Sequence, residues 1–267
     1  MEIRDLSALI IKNSEKYAEI LSVLSTLLKY SDEAEEARVE LYKRIPKNGV
    51  VGFNNFGYFP KSTELHLLKD FMSPEGIDEL EELGLLYKRY VYDSGHAERK
   101  HCGVLADHNI VMPYKNTYGD IIGLVGRTLL TKEEQKSRKI SKYKNTSILK
   151  SMNLFGMYEA KKHIIEKDAV FIVEGQFDCI TCHRFGYKNV VALGSASFTK
   201  FHFLLLKRYT NNIYLLLDND DAGRKQTNKI ISRHGDMANI IPISIPSRYK
   251  DIDECLVKGR DFSPLQV

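Results

Sequence analysis

Two short apolar runs of this chain end abruptly in acid. "VFIVEGQFDC", residues 170–179, puts Glu174 directly after its run and Asp178 four residues later. "IYLLLDNDDAGR", residues 213–224, puts Asp218 directly after its run and Asp220 two residues beyond. A third acidic pair, Asp251 and Asp253, lies in "KDIDECLVKG". Carboxylates that face one another cannot all stay ionised without a compensating cation. Hard oxygen donors select Mg²⁺ or Mn²⁺ over zinc. Ions held this way at the mouth of a cleft bind substrate phosphates, and two of them stabilise the attacking and leaving oxygens of phosphoryl transfer. The competing reading is plain: an Asp at a strand end is often a turn residue or a helix N-cap. The recurrence favours a metal site for the set, with E-G-x-x-D after one run and D-x-D-x-A-G after the other. Gly175 lets the backbone turn tightly after its strand, Gly223 permits a close backbone approach, and Arg224 stands within reach of a phosphate.

The elements that must position these acids follow from periodicity. After residue 168, "AVFIV", "VVAL", "IYLLL" and "NIIPISI" read as strands, alternating with helices over "FDCITCHRFG", "TKFHFLLLKRY", "AGRKQTNKIISRHG" and "IDECLVKG". Short, fully apolar strands alternating with helices imply a mainly parallel sheet covered on both faces. Ligands of such sheets bind beyond the carboxyl ends of the strands, which is where the acids stand. Upstream, residues 1–45 read as helical, "SPEGIDELEELGLL" as a short capped helix ending at Gly84, and "NIVMPYKNTYGDIIGLVGRTLL" as two strands joined near Tyr118-Gly119-Asp120. "LFGMYEAKKHIIEK" is again helical. The fold class expected is α/β: an α+β N-terminal subdomain, residues 1–166, then a Rossmann-like, mainly parallel sheet over 167–262, and a tail at 263–267.

The chain has 267 residues, 43% hydrophobic and 28% charged, with a net charge of +4. That is an ordinary globular composition with ample core. No apolar run approaches a membrane span, and the mixed-charge start is not a signal peptide, so the protein reads as intracellular with no membrane partner. Cys102, Cys179, Cys182 and Cys255 are too few for a disulfide scaffold. Cys179 and Cys182 form one C-x-x-C within a helix, without a second pair to complete a zinc site, and read as packing. Charge is unevenly spread. "KSRKISKYKNTSILK", residues 136–150, carries Lys136, Arg138, Lys139, Lys142, Lys144 and Lys150 and no acid. A basic segment in the same chain as an acidic site implies a polyanion held while metal-dependent chemistry occurs. "LGSAS", residues 193–197, is either a phosphate cradle at a helix start or an ordinary turn.

These motifs resemble a known family. "VEGQFDCITCHRFG" with "LLLDNDDAGR" is similar to the Toprim signature shared by DnaG-type bacterial primases, topoisomerases and OLD-type nucleases, and "KDIDECLVKG" resembles the D-x-D-E segment that follows in primases. Upstream, "IVMPYKNTYGDIIGLVGRTL", "SKYKNTSILKSMNLFGMYEAKK" and, more weakly, "LYKRIPKNGVVGFNNFGYFP" resemble primase segments, so the likeness spans roughly 35–262. The resemblance implies a nucleotidyltransferase that makes short RNA primers on single-stranded DNA from nucleoside triphosphates. It implies that Glu174, Asp178, Asp218 and Asp220 are catalytic and, with Asp251 and Asp253, hold two or more Mg²⁺ or Mn²⁺ ions. It also assigns Arg127, Lys142, Tyr143, Asn145 and Lys150 to a nucleic-acid and nucleotide groove. It places the protein in the cytoplasm of a bacterial or phage-infected cell, with a replicative helicase or a separate zinc-binding module as candidate partners. Departures exist: arginines expected before "IVMPY" are His108 and Asn109, and no Cys/His set supplies the family's zinc module, so no zinc is expected. A Toprim-type nuclease and a non-catalytic Toprim replication factor are the rival readings. The primase-like upstream segments oppose the first, and the full acidic set opposes the second.

Overall fold

The structure, a computed structural model, describes residues 3–43, 56–93, 96–194 and 197–259, so most of the 46–60 loop, part of "LGSAS" and the 263–267 tail lie outside the described residues. It divides into two compact units, Met1–Tyr114 with Asp120–Ile148, and Lys115–Gly119 with Leu149–Val267.

The first unit opens with helices α1 (Ile3–Tyr30) and α2 (Glu35–Tyr42), followed by the short strand β1 (Gly57–Tyr58). Helices α3 (His66–Phe71) and α4 (Pro74–Glu82) lead into a two-stranded antiparallel hairpin, β2 (Leu86–Asp93) and β3 (His96–Gly103). Strands β4 (Ile110–Lys115) and β5 (Ile121–Arg127), helix α5 (Lys132–Arg138) and strand β6 (Tyr143–Asn145) complete it, and the sheet order is β1-β4-β5-β6. The apolar stripe read in α1 is its buried face: Ile20, Leu24, Leu27 and Leu28 are fully buried, and the helix packs on β1 and β5. Each such side chain contributes about 1.5–3 kcal/mol by leaving water. The crossing is close, because a methyl on Gly57 would stand 2.5 Å from Leu24 Cβ. Helix α4 starts as its sequence requires, with the Ser73 side chain accepting the Gly76 N–H and Pro74 in the first turn.

The second unit runs α6 (Met157–Lys167), β7 (Val170–Val173), α7 (Gln176–Arg184), β8 (Val190–Ala192), α8 (Lys200–Leu206), β9 (Asn212–Leu215), α9 (Asp221–His234), β10 (Asn239–Pro242) and α10 (Ile252–Gly259). Its strands form a parallel sheet of order β10-β9-β7-β8. All four residues of β7 are buried, as befits a central strand covered on both faces. One face packs Val170, Ile172, Ile213 and Leu215 against Met157 and Ile164 of α6, Phe203 of α8 and Ile230 of α9. β10 is an edge strand, where Pro242 is tolerated. The expected alternation of strand and helix is therefore present, in the expected order.

Candidate active site

β7 and β9 are parallel neighbours, so whatever follows each emerges at one edge of the sheet. The Leu216 N–H donates to the Ile172 carbonyl at 2.9 Å, which carries the ladder up to the acids. The Asp218 N–H then donates to Glu174 Oε1 at 3.2 Å, so the first acids after the two strands touch. Gly223, in the first turn of α9, makes that contact possible. A methyl there would stand 2.2 Å from the Asp218 carbonyl oxygen and 3.1 Å from Glu174 Oε1, so any side chain would push the helix off the site. Asp220 is the N-cap of α9 and accepts the Gly223 N–H at 2.8 Å. Asp178 Oδ2 accepts the Gly175 N–H at 2.9 Å at the start of α7. The capping reading and the metal reading are thus compatible. Each cap bond uses one carboxylate oxygen and fixes the side chain's orientation.

The electrostatics mark the cluster as strained by charge. Burial, then the negative charges of Asp218 and Asp220, raise the Glu174 carboxyl above the ordinary glutamate value, while the Asp218 N–H and the Lys250 ammonium hold it down. Desolvation combined with like charge in one place is the pattern of a functional-site carboxylate. Lys250 is a functional candidate that sequence reading missed. It is brought in by Asn219, whose Nδ2 donates to the Ile245 carbonyl at 2.8 Å and the Tyr249 carbonyl at 3.3 Å, and whose N–H reaches the Lys250 carbonyl at 3.4 Å. The middle residue of D-N-D therefore ties the loop after β10 to the acidic edge.

The third acidic pair is placed differently. Asp251 Oδ1 accepts the Glu254 N–H at 2.9 Å at the head of α10, and Asp253 Oδ1 accepts the Thr181 hydroxyl at 2.5 Å, turned toward α7. Among the described residues no three His, Cys, Asp or Glu side chains are drawn together into a ready-made cage. The donor set nonetheless fits a hard cation. Mg²⁺ keeps several waters and is usually held by one or two carboxylates plus substrate phosphates, not by an all-protein cage. The clearance at Gly223 keeps Glu174 against the Asp218 backbone.

The basic positions are dispersed. Arg224 is exposed and bonded to the Asn219 carbonyl at 2.8 Å and to Asp221 at 2.6 Å. Lys150 reaches the Gly194 carbonyl at 3.4 Å, while its own carbonyl lies 2.6 Å from His202 Nε2. In the first unit, Arg127 is buried and pairs with Glu40 at 3.0 Å. Lys142 lies 5.4 Å from the centre of the Tyr143 ring, and Asn145 pairs with Val125 in the β5–β6 ladder. Cys179 and Cys182 are fully buried on α7, as the packing reading requires, and burial raises both thiols well above their ordinary value.

Comparison with known proteins agrees with this geometry. The Toprim-like family matches residues 171–256, which holds Glu174, Asp178, Asp218, Asp220, Asp251 and Asp253. The chain is 35% identical over 146 residues to the DNA primase of Aquifex aeolicus, a stretch covering 54% of this chain but only 29% of that protein. The crystal structure of the zinc-binding and RNA polymerase domains of the Aquifex aeolicus primase matches with a TM-score of 0.70 at 28% identity, covering 92% of this chain and 58% of that one. A DnaG primase catalytic domain solved bound to single-stranded DNA shares the fold at a TM-score of 0.69 and 24% identity, over 95% of this chain and 79% of that one. The acidic sheet edge lies within the stretch that the Toprim-like family matches. The chain has the fold of a bacterial primase catalytic core, and spans about a third of the length of the curated primases it matches.

Proposed function

We propose that this chain is the catalytic core of a DNA primase, which copies single-stranded DNA into short RNA primers by metal-dependent nucleotidyl transfer. The observation that carries the proposal is the Glu174–Asp218 contact at the carboxyl edge of a parallel sheet, with Asp220 held beside it by a helix cap. Glu174, Asp178, Asp218 and Asp220 would hold Mg²⁺ or Mn²⁺, with Asp251 and Asp253 as outer contributors. Such ions, when bound, activate the attacking 3′-hydroxyl and stabilise the departing pyrophosphate. The chain's own residues do the positioning. The two cap bonds preset Asp178 and Asp220, so little reorganisation is needed at the moment of reaction. Lys250 offsets part of the cluster's charge, and Arg224 offers a guanidinium to a phosphate. Residues 1–166 would form the template and nucleotide part, through Arg127, Lys142, Tyr143 and Asn145 with Lys150, and residues 167–262 the catalytic part. A replicative helicase and a separate zinc-binding module are its proposed partners.

The test is primer synthesis on single-stranded DNA with labelled nucleoside triphosphates and Mg²⁺ or Mn²⁺, beside an Asp218→Ala control. Short products that the control lacks support the proposal. Degraded template would identify a nuclease instead. DNA binding without either reaction would identify a binding module.

A further inference from the structure

Helix α9 carries positive charge in a column. Lys225, Lys229 and Arg233 follow one another at a spacing of four residues, and all three are exposed. Like charges so spaced share one helix face and repel, which weakens the helix. None of the three has an ion-pair partner among the described residues. Beside the last two, the second unit has a hollow of about 30 Å³ between α9 and the residues that precede α8. Gln226, Lys229, Arg233 and His234 line it together with Ser197 and Phe198, and no acid does. A hollow of that size holds about two waters, or one tetrahedral oxyanion.

The base of the hollow is rigid and unsatisfied. His234 is only 8% exposed, beneath the exposed lysine and arginine. Its ring stacks on Phe203, with centroids 4.3 Å apart and planes at 14°, and meets Phe198 edge-on at 5.8 Å. Its Nδ1 is buried and has no hydrogen-bond partner among the described residues. The contrast is His202, which also lies against Phe198 and is fully buried. His202 Nε2 is 2.6 Å from the Lys150 carbonyl, and its Nδ1 accepts the Thr199 N–H at 3.3 Å. A buried polar atom left unpaired is costly, so His234 calls for a partner that the chain does not supply.

Two unpaired cations over a fixed imidazole suit an anion with several acceptor oxygens. The donors come from two sides, α9 and Ser197. A tetrahedral group can meet donors from several directions, whereas a planar carboxylate meets them in its plane. We propose that this hollow is an oxyanion site that takes one phosphate group, free or at the end of a small ester. Lys229 and Arg233 pair its charge, and His234, Gln226 and Ser197 donate to it. The volume admits no sugar or base, so the rest of an ester stays outside. Ser197 closes "LGSAS", so the phosphate reading of that segment returns here through a side chain and not through a helix start. The site includes none of the acids and does not rest on the primase reading.

The probes are inorganic phosphate and thymidine 5′-monophosphate, each exchanged for chloride at constant ionic strength, with the full chain in EDTA. Proton NMR of the histidine rings reads the site, and the His234 signal is the one that His234→Gln lacks. Phosphate is expected to move that signal. Lys229→Gln and Arg233→Gln are each expected to weaken binding about ten-fold, the scale of one charge-assisted hydrogen bond. Lys225→Gln removes the same charge from the same column but outside the hollow, and should change affinity by less than about two-fold. Thermal melts of these three surface variants should match the parent. Where His234→Gln does not fold, the phosphorus-31 line width of added phosphate reads the same affinities in the surface variants. A response to both probes assigns the free group as ligand, and a response to the monophosphate alone assigns the ester. No response to either, or equal losses in Lys225→Gln and Lys229→Gln, would overturn the proposal and leave a solvated basic face. Asp218→Ala should leave every one of these readouts intact, so the result is separable from the fate of the primase reading.

Discussion

In the second unit the charged groups are short and held by backbone. Asp178 and Asp220 cap helices, and Glu174 accepts the Asp218 N–H, so each carboxylate has a preset orientation. In the first unit the charged groups around the cavity beside the β2–β3 hairpin, Arg89, Arg138 and Lys144, are long and exposed, and only the floor, where Asn109 donates to the Phe59 carbonyl, is fixed. Under the proposed function, the difference matches what each unit would hold. An ion or a reacting phosphate tolerates errors of only tenths of an ångström. A flexible strand held by its phosphates tolerates much more, because the attraction is long-ranged and undirected. One unit has the means for placement and the other for retention.

The comparison breaks most sharply at Asp218. Its N–H, not its side chain, makes the bond to Glu174, so Asp218→Ala keeps the local backbone and should leave far-ultraviolet circular dichroism unchanged. Primer synthesis should fall by at least about 10³-fold, the scale lost when one preorganised electrostatic group is removed. A thousandth of parental synthesis is the ceiling to check on a product gel. Gly223→Ala comes next. A methyl 2.2 Å from the Asp218 carbonyl must displace α9 or the acid loop, at about 1–3 kcal/mol of stability. A denaturant midpoint within error of the parent would show that the approach is looser than the geometry implies.

Glu174→Gln should act in the opposite direction. The folded carboxyl is raised, so the unfolded chain ionises first, and the penalty appears as pH rises through the glutamate range. Removing the charge should therefore stabilise metal-free protein at pH 7 by about 0.5–2 kcal/mol. That gain should vanish below about pH 4, where the carboxyl is protonated in both states. Melting curves in EDTA at the two pH values measure it, while the same variant should lose activity. The smallest effect is expected at Lys136, exposed on α5. Lys136→Ala should change stability by less than about 0.5 kcal/mol, and a large drop in DNA affinity would extend the retaining surface beyond the cavity.

What the sequence disclosed divides along the same line. The parallel sheet was legible because its strands are unbroken apolar runs, and the acids because they follow those runs directly. The hairpin of Leu86–Asp93 and His96–Gly103 was not, since "LYKRYVYD" and "HAERKHCG" mix charged with apolar and aromatic residues and are not the unbroken apolar runs of the parallel sheet. The available signals were the Tyr90-Val91-Tyr92 run and the Asp93-Ser94-Gly95 triplet after it. With the hairpin unread, the cavity beside it was unread too. Lys250 was hidden for another reason. Its placement depends on Asn219 reaching the carbonyls of Ile245 and Tyr249, a tether between residues far apart in sequence that no local pattern encodes.

The buried cysteines have a practical consequence. All four are free thiols shielded from solvent, Cys102 in the first unit and Cys179, Cys182 and Cys255 in the second. A thiol reagent can reach each only when its surroundings open, so labelling rates report local unfolding free energies. Mass spectrometry of labelled peptides would then time the opening of the two units separately in one unmodified chain. It would show whether an added oligonucleotide slows the Cys102 clock, a divalent ion the other three, or either ligand both.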